Sequence, residues 1–82
     1  MATSRARVAQ YVLDYFHRDW PSATEETSLA KDLGLDAYDI YDAGRDLRGW
    51  RGANYTPDEF GRCKKVKNIV TLIFNKVQAA GQ

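Results

Sequence analysis

The sequence predicts an all-α chain, a small four-helix bundle, and three observations predict it. Apolar residues recur at intervals of three and four in three separate stretches. Helix-capping residues stand where the helices should begin, and no run alternates apolar with polar long enough to make a strand. Length narrows the architecture further, because a chain of about 80 residues supports one hydrophobic core and not two. One domain over residues 1–82 is expected.

The first helix is read over residues 4–19. Val8, Tyr11, Val12, Tyr15, Phe16 and Trp20 fall on one face at helical spacing, Thr3 or Ser4 can cap the start, and Pro21 pushes the residue before it out of helical space. Residues 21–35 mix turn formers with Leu29, Leu33 and Leu35 and read as a long ordered loop. Gly34, between two leucines, predicts a positive φ that closes a short turn. The second helix is read over 37–49, with Asp36 at its N-cap, Asp39 three residues later, and Ile40, Tyr41, Ala43, Leu47 and Trp50 at mostly helical intervals. Gly44 inside it costs about 1 kcal/mol relative to alanine, so it marks either close approach of a neighbouring element or local weakness.

Residues 49–55 hold two glycines and an asparagine and read as a loop. Thr56-Pro57-Asp58-Glu59 is the strongest local signal: a capping threonine, proline at the first helical position, and a glutamate that can reach back to the cap. It predicts a short third helix over 57–61, ending at Gly61. A fourth helix over 65–78 follows from Val66, Ile69, Val70, Ile73, Phe74 and Val77, with residues 79–82 expected to fray.

Composition excludes several classes. One cysteine cannot form an internal disulfide, and one cysteine with one histidine cannot supply a structural zinc site. The longest uncharged apolar stretch, Ile69 to Phe74, is far short of the ~20 residues a membrane span needs, and the polar start offers no signal sequence, so a soluble, cytoplasmic chain is expected. The net charge of +1 hides an asymmetry: residues 1–23 carry +1, residues 24–46 carry −5 and residues 47–82 carry +5. The acidic and basic blocks either neutralise each other across the fold or face two separate partners.

No catalytic residue is assigned. His17 lacks a nucleophile partner by pattern and reads as a surface or rim histidine. Cys63, between Arg62 and Lys64, would carry an activated thiol only if exposed. The pairs Asp32/Asp36 and Asp39/Asp42 lack the spacing of a calcium loop, so no metal ligand is assigned either. The cluster Arg62, Lys64, Lys65 and Lys67 raises nucleic-acid binding, which the low net charge disfavours.

The segment Thr27-Ser28-Leu29-Ala30-Lys31-Asp32-Leu33-Gly34-Leu35-Asp36-Ala37-Tyr38-Asp39 resembles the signature of acyl carrier proteins and peptidyl carrier domains. In that family a loop ending in Asp-Leu-Gly, one more residue and then Asp-Ser-Leu-Asp or similar leads into the second helix. The order of elements is similar over nearly the whole chain, so the resemblance implies a bundle of the acyl-carrier-protein type. The family's serine, whose hydroxyl takes the 4′-phosphopantetheine arm after the aspartate matched by Asp36, corresponds here to Ala37. A methyl group offers no nucleophile, so no cofactor is expected as written; 4′-phosphopantetheine applies only if residue 37 is natively serine. The chain departs further at Tyr38 and Gly44, where the family has aliphatics. It departs again at Arg45, Arg48 and Arg51, where carriers place acidic docking residues; Asp36, Asp39 and Asp42 alone keep that character. Nothing supports Ser28 as a substitute attachment site.

The expected function is a degenerate, non-loadable carrier-like protein, not an enzyme. It would bind a protein partner, a biosynthetic enzyme or synthase, through the second helix and the loop before it. Tyr38, Tyr41 and Arg45 share one face at i, i+3 and i+7, and Asp42, Arg48 and Trp50 complete the candidate contact set. The competing reading of these residues makes Tyr41 half-buried core and pairs Arg45 with Asp42. Two alternatives remain at the level of function. One is a genuine carrier of a fatty-acid, polyketide or nonribosomal-peptide pathway with serine changed to alanine at position 37; the other is a small helical nucleic-acid-binding domain.

Overall fold

The computed structural model describes residues 2–82. Four α-helices pack as a small bundle: α1 (Arg5–His17), α2 (Ala37–Leu47), α3 (Pro57–Gly61) and α4 (Val66–Ala79), with a 3₁₀ turn at Trp50–Gly52. Among the described residues there is no strand, only an isolated antiparallel bridge between Ser28 and Lys65. No described helix is long and apolar enough to cross a membrane.

Ser4 is the cap of α1, its Oγ accepting from the Arg7 amide at 3.1 Å. The helix stops at His17, short of the expected 19, and Pro21 is not the cause. Its last turn tightens, with the Asp19 and Trp20 amides both donating to the Phe16 carbonyl, and His17 Nε2 lies 2.8 Å from the Ala23 carbonyl oxygen, pinning the turn that follows. The loop from 18 to 36 is ordered because it is stitched to the start of α4 and the residue pair before it. Leu29 donates to the Lys64 carbonyl at 2.9 Å, Val66 to Thr27 at 3.1 Å and Lys67 to Glu25 at 2.9 Å, while the Leu29 side chain enters the core. Gly34 has the positive φ, 67°, that the sequence predicts.

Asp36 and Asp39 form a reciprocal capping box at the start of α2: Asp36 Oδ1 accepts from the Asp39 amide at 2.9 Å and Asp39 Oδ2 from the Asp36 amide at 3.2 Å. This helix ends at Leu47 rather than 49, since Arg48 turns to extended backbone and Gly49 takes a φ of 94°. Tyr11 on α1 donates its hydroxyl to the freed Leu47 carbonyl at 3.0 Å. Thr56 and Glu59 make the second capping box, with Pro57 at the first position of α3 as expected. Val66, not residue 65, opens α4, and Asn68 Oδ1 accepts from the amides of both Lys64 and Lys65.

The expected fraying of residues 79–82 does not occur. Helix α4 runs to Ala79, Gly81 adopts a φ of 79°, and the amides of Gly81 and Gln82 donate back to the carbonyls of Gln78 and Val77. That is a Schellman cap, which satisfies the last carbonyls of the helix.

Helix α1 packs along α4 and α2 packs on α3. Their buried stripes meet in one core built on Phe16, Leu29, Leu47, Phe60, Ile69 and Ile73 with the valines of α1 and α4. Gly44 belongs to the close-approach case. A Cβ built there would lie 2.8 Å from Phe60 Cγ, and the buried Tyr55 hydroxyl donates to the Gly44 carbonyl at 2.7 Å.

Candidate functional site

Helix α2 buries Ala43, Gly44 and Leu47 and presents the rest of its circumference outward. Tyr38 is 83% exposed and Tyr41 53%, and they are the large hydrophobic side chains the fold leaves most open. Tyr41 is therefore not core. Arg45 shares their face and touches Asp42 across 3.3 Å in a solvent-exposed pair, a kind of contact that stabilises little.

The two flanks of α2 differ in sign. Toward α3, a pocket of about 100 Å³ is lined by Tyr41, Gly44, Arg45, Arg48, Tyr55, Pro57 and Phe60. Toward α1, Asp39, Asp42 and Asp46 line a separate groove with Arg18 and Trp20. Asp46 there accepts from the Tyr15 hydroxyl at 2.8 Å, and burial together with that carboxylate pushes the Tyr15 phenol up to about 12. Among the described residues, no group of three or more histidine, cysteine or acidic side chains is placed to hold a metal ion.

The structure thus brings Tyr41, Arg45 and Arg48 together at one pocket, sets Tyr38 on the exposed face beside it, and places Asp42 on the opposite flank. Trp50 lies elsewhere. Its ring stacks on Tyr11 at 4.1 Å with 4° between planes, and Arg51 sits over it at 4.9 Å, so it is half-buried against α1 rather than part of the α2 surface. The reason is that α2 ends before Trp50, in a turn whose glycines redirect the chain. Tyr55, Pro57 and Phe60 were not among the sequence candidates. Gly44 was their signal, since a glycine in a helix interior implies that another element comes close there.

Ala37 is exposed at the first position of α2, directly after the capping Asp36. Its methyl group does not fit an attached 4′-phosphopantetheine arm, and the nearby Ser28 hydroxyl already accepts from the Lys31 amide at 3.1 Å within its own loop. Cys63 is buried, and loss of solvation raises its thiol to about 11, so it stays protonated and inert at neutral pH despite its cationic neighbours. Of the basic cluster, Lys65 and Lys67 both bind the Glu26 carboxylate, at 3.2 and 3.1 Å. The acidic and basic blocks neutralise each other at this point.

Glu26 and Glu59 report on pH. Lys67 and Lys65 hydrogen-bonded to Glu26, and Lys76 at 2.8 Å from Glu59, hold both carboxyls below their ordinary value. Folding therefore favours the ionised forms. Their stabilisation is complete above the ordinary glutamate value and is lost as pH falls through the lowered one. Glu59→Gln retains the capping box but removes the charge, so it is expected to flatten the acid limb of the stability curve by lowering stability near neutral pH while leaving it little changed at the acid end. Urea unfolding between about pH 3 and 6 measures this. An unchanged acid limb would show that the ion pair has no weight.

Comparison of the chain with protein-family models, with curated proteins and with solved structures finds no match.

Proposed function

We propose that this chain is a non-catalytic protein-interaction module of the acyl-carrier-protein type, unable to carry a prosthetic arm. It recognises a protein partner, a biosynthetic enzyme or synthase, through α2 and the loop before it. The observation that carries this reading is the exposure of Tyr38 and Tyr41 on one face of α2, next to a pocket walled by arginines. Aromatic and arginine side chains offer large contact area and directional hydrogen bonds, which is why they dominate the energetics of protein interfaces. A capped helix holds them rigidly, so little ordering entropy is lost on binding.

The test is affinity capture from native cell extract with three baits: the unchanged chain, the Tyr38→Ala/Tyr41→Ala double variant, and Asn75→Ala on the exposed side of α4. A partner retained by the first and third baits and lost with the double variant is expected. Hot-spot aromatics contribute about 2 kcal/mol or more each, a loss in affinity of roughly 30-fold per residue. The same proteins on all three baits would overturn the reading. Both tyrosines are exposed, so the variant is expected to stay folded.

A second reading, a working carrier with serine at position 37, is favoured by one observation: residue 37 is exposed at a helix N-terminus, where a phosphodiester would meet free backbone N–H groups. Ala37→Ser treated with coenzyme A and promiscuous phosphopantetheinyl transferases would then gain the mass of the arm. No gain with several transferases would refute it.

A further inference from the structure

We propose that the partner meets α2 with an acidic segment bearing one apolar anchor. The anchor fills the pocket between α2 and α3, and the carboxylates beside it pair with Arg45 and Arg48. This rests on the reading of α2 as a protein-binding face and adds the chemistry of what it binds.

The pocket calls for an apolar occupant. Its lining includes the Phe60 ring, Pro57, the Tyr41 and Tyr55 rings and the backbone of Gly44, against which Phe60 packs closely. The Tyr55 hydroxyl at its edge already donates to the Gly44 carbonyl, so it offers an incoming group no free donor. A small inorganic anion would leave this apolar lining uncovered.

The rim calls for negative charge. Arg48 makes no ion pair among the described residues, and Arg45 has only its long, exposed contact with Asp42. The other carboxylates of α2 are turned away or engaged: Asp36 and Asp39 cap the helix, and Asp46 accepts from Tyr15 on the far flank. Asp58 on α3 pairs with neither arginine. Arg48 therefore flanks the pocket with no ion-pair partner among the described residues and Arg45 with only an exposed contact that a better-placed carboxylate can displace, and guanidinium matches carboxylate bidentately.

The extent of the face selects a peptide. From Tyr38 to Arg48 the surface runs about 15 Å along the helix at 1.5 Å per residue, longer than a small carboxylate could span. A segment seated in the pocket reaches Tyr41 on one side and continues over Tyr38.

The experiment is selection of a random-peptide display library on the unchanged chain, on Arg45→Gln/Arg48→Gln and on Tyr38→Ala/Tyr41→Ala, with circular dichroism confirming that each is folded. The best peptide and its counterpart with Asn and Gln for Asp and Glu are then titrated by fluorescence anisotropy at low and high salt. Expected are peptides with Asp or Glu flanking Leu, Ile, Met or Phe, lost on the arginine variant. The amide counterpart should bind at least about 10-fold more weakly, and high salt should erase that difference.

Neutral or basic peptides that still require Tyr38 and Tyr41 would overturn the acidic segment while leaving α2 as the binding face. Selection indifferent to both variants would overturn the reading of α2 itself. Concentration-dependent dimerisation of the unchanged chain in sedimentation, abolished by Arg45→Gln/Arg48→Gln, would make a second copy the occupant and overturn the peptide partner.

Discussion

Phe60→Ala is expected to lower the free energy of unfolding by about 3–5 kcal/mol, the range for removing a fully buried aromatic. Phe60 is 2% exposed, and it is the single buried side chain of α3, a helix of five residues too short to persist without docking. Its ring lies 5.3 Å from that of Tyr55 and closes over Gly44. Deletion would leave a cavity bounded by a glycine backbone, which cannot relax inward to fill it. Small domains have a total stability of about 5–15 kcal/mol, so this one change should bring the chain close to its unfolding threshold. Denaturant titration followed by far-ultraviolet circular dichroism measures it. A loss below about 1 kcal/mol would mean that α3 is held by something other than Phe60.

Gly44→Ile should destabilise by about 1–3 kcal/mol through overpacking. The added Cβ would fall 2.8 Å from Phe60 Cγ, 2.9 Å from Cδ1 and 3.3 Å from Cβ. These atoms lie at the root of the ring, so it cannot swing aside and α3 has to move, stretching the Tyr55 hydrogen bond to the Gly44 carbonyl. The helical preference regained on replacing glycine, at most about 1 kcal/mol, does not offset this. In a Phe60→Ala background the two closest contacts, to Cγ and Cδ1, are gone, and the double variant should be more stable than the sum of the single effects by over about 0.5 kcal/mol. The carrier resemblance expects an aliphatic at position 44. A stabilising Gly44→Ile would favour that expectation over the packing described here.

The elements that could be read from the sequence are those decided within a few residues. Both capping boxes, at Asp36 with Asp39 and at Thr56 with Glu59, are local hydrogen-bonded circuits between neighbours, and their spacing announces them. The three apolar stripes gave the helices for the same reason. What escaped depended on partners far along the chain. The turn through Gly49 ends helix α2, but what settles that end is distant in sequence: Tyr11 takes the freed Leu47 carbonyl, and Trp50 leaves the α2 face for the same residue's ring. The Schellman cap at Gly81 is the exception: it is local, and a glycine just past the last helical residue was sufficient signal for it. The candidate face was legible in part. Tyr38, Tyr41 and Arg45 share a helical face by arithmetic alone, but the pocket needs α3, whose approach only Gly44 hinted at.

The stitch between the first loop and the start of α4 has a kinetic side. Glu26 and its two lysines are 39 and 41 residues apart, and closing a loop of that length costs on the order of 3 kcal/mol in chain entropy. Everything between, α2 and α3 included, lies inside the closed loop like a strap inside a buckle. The helices can form before the buckle shuts, whereas the packed order of α2 and α3 is expected to depend on its staying shut. Breathing of the native protein would then release α2 and α3 as one cooperative unit. Exchange of the Leu29, Val66 and Lys67 amides with solvent would track it, because each donates across the clasp.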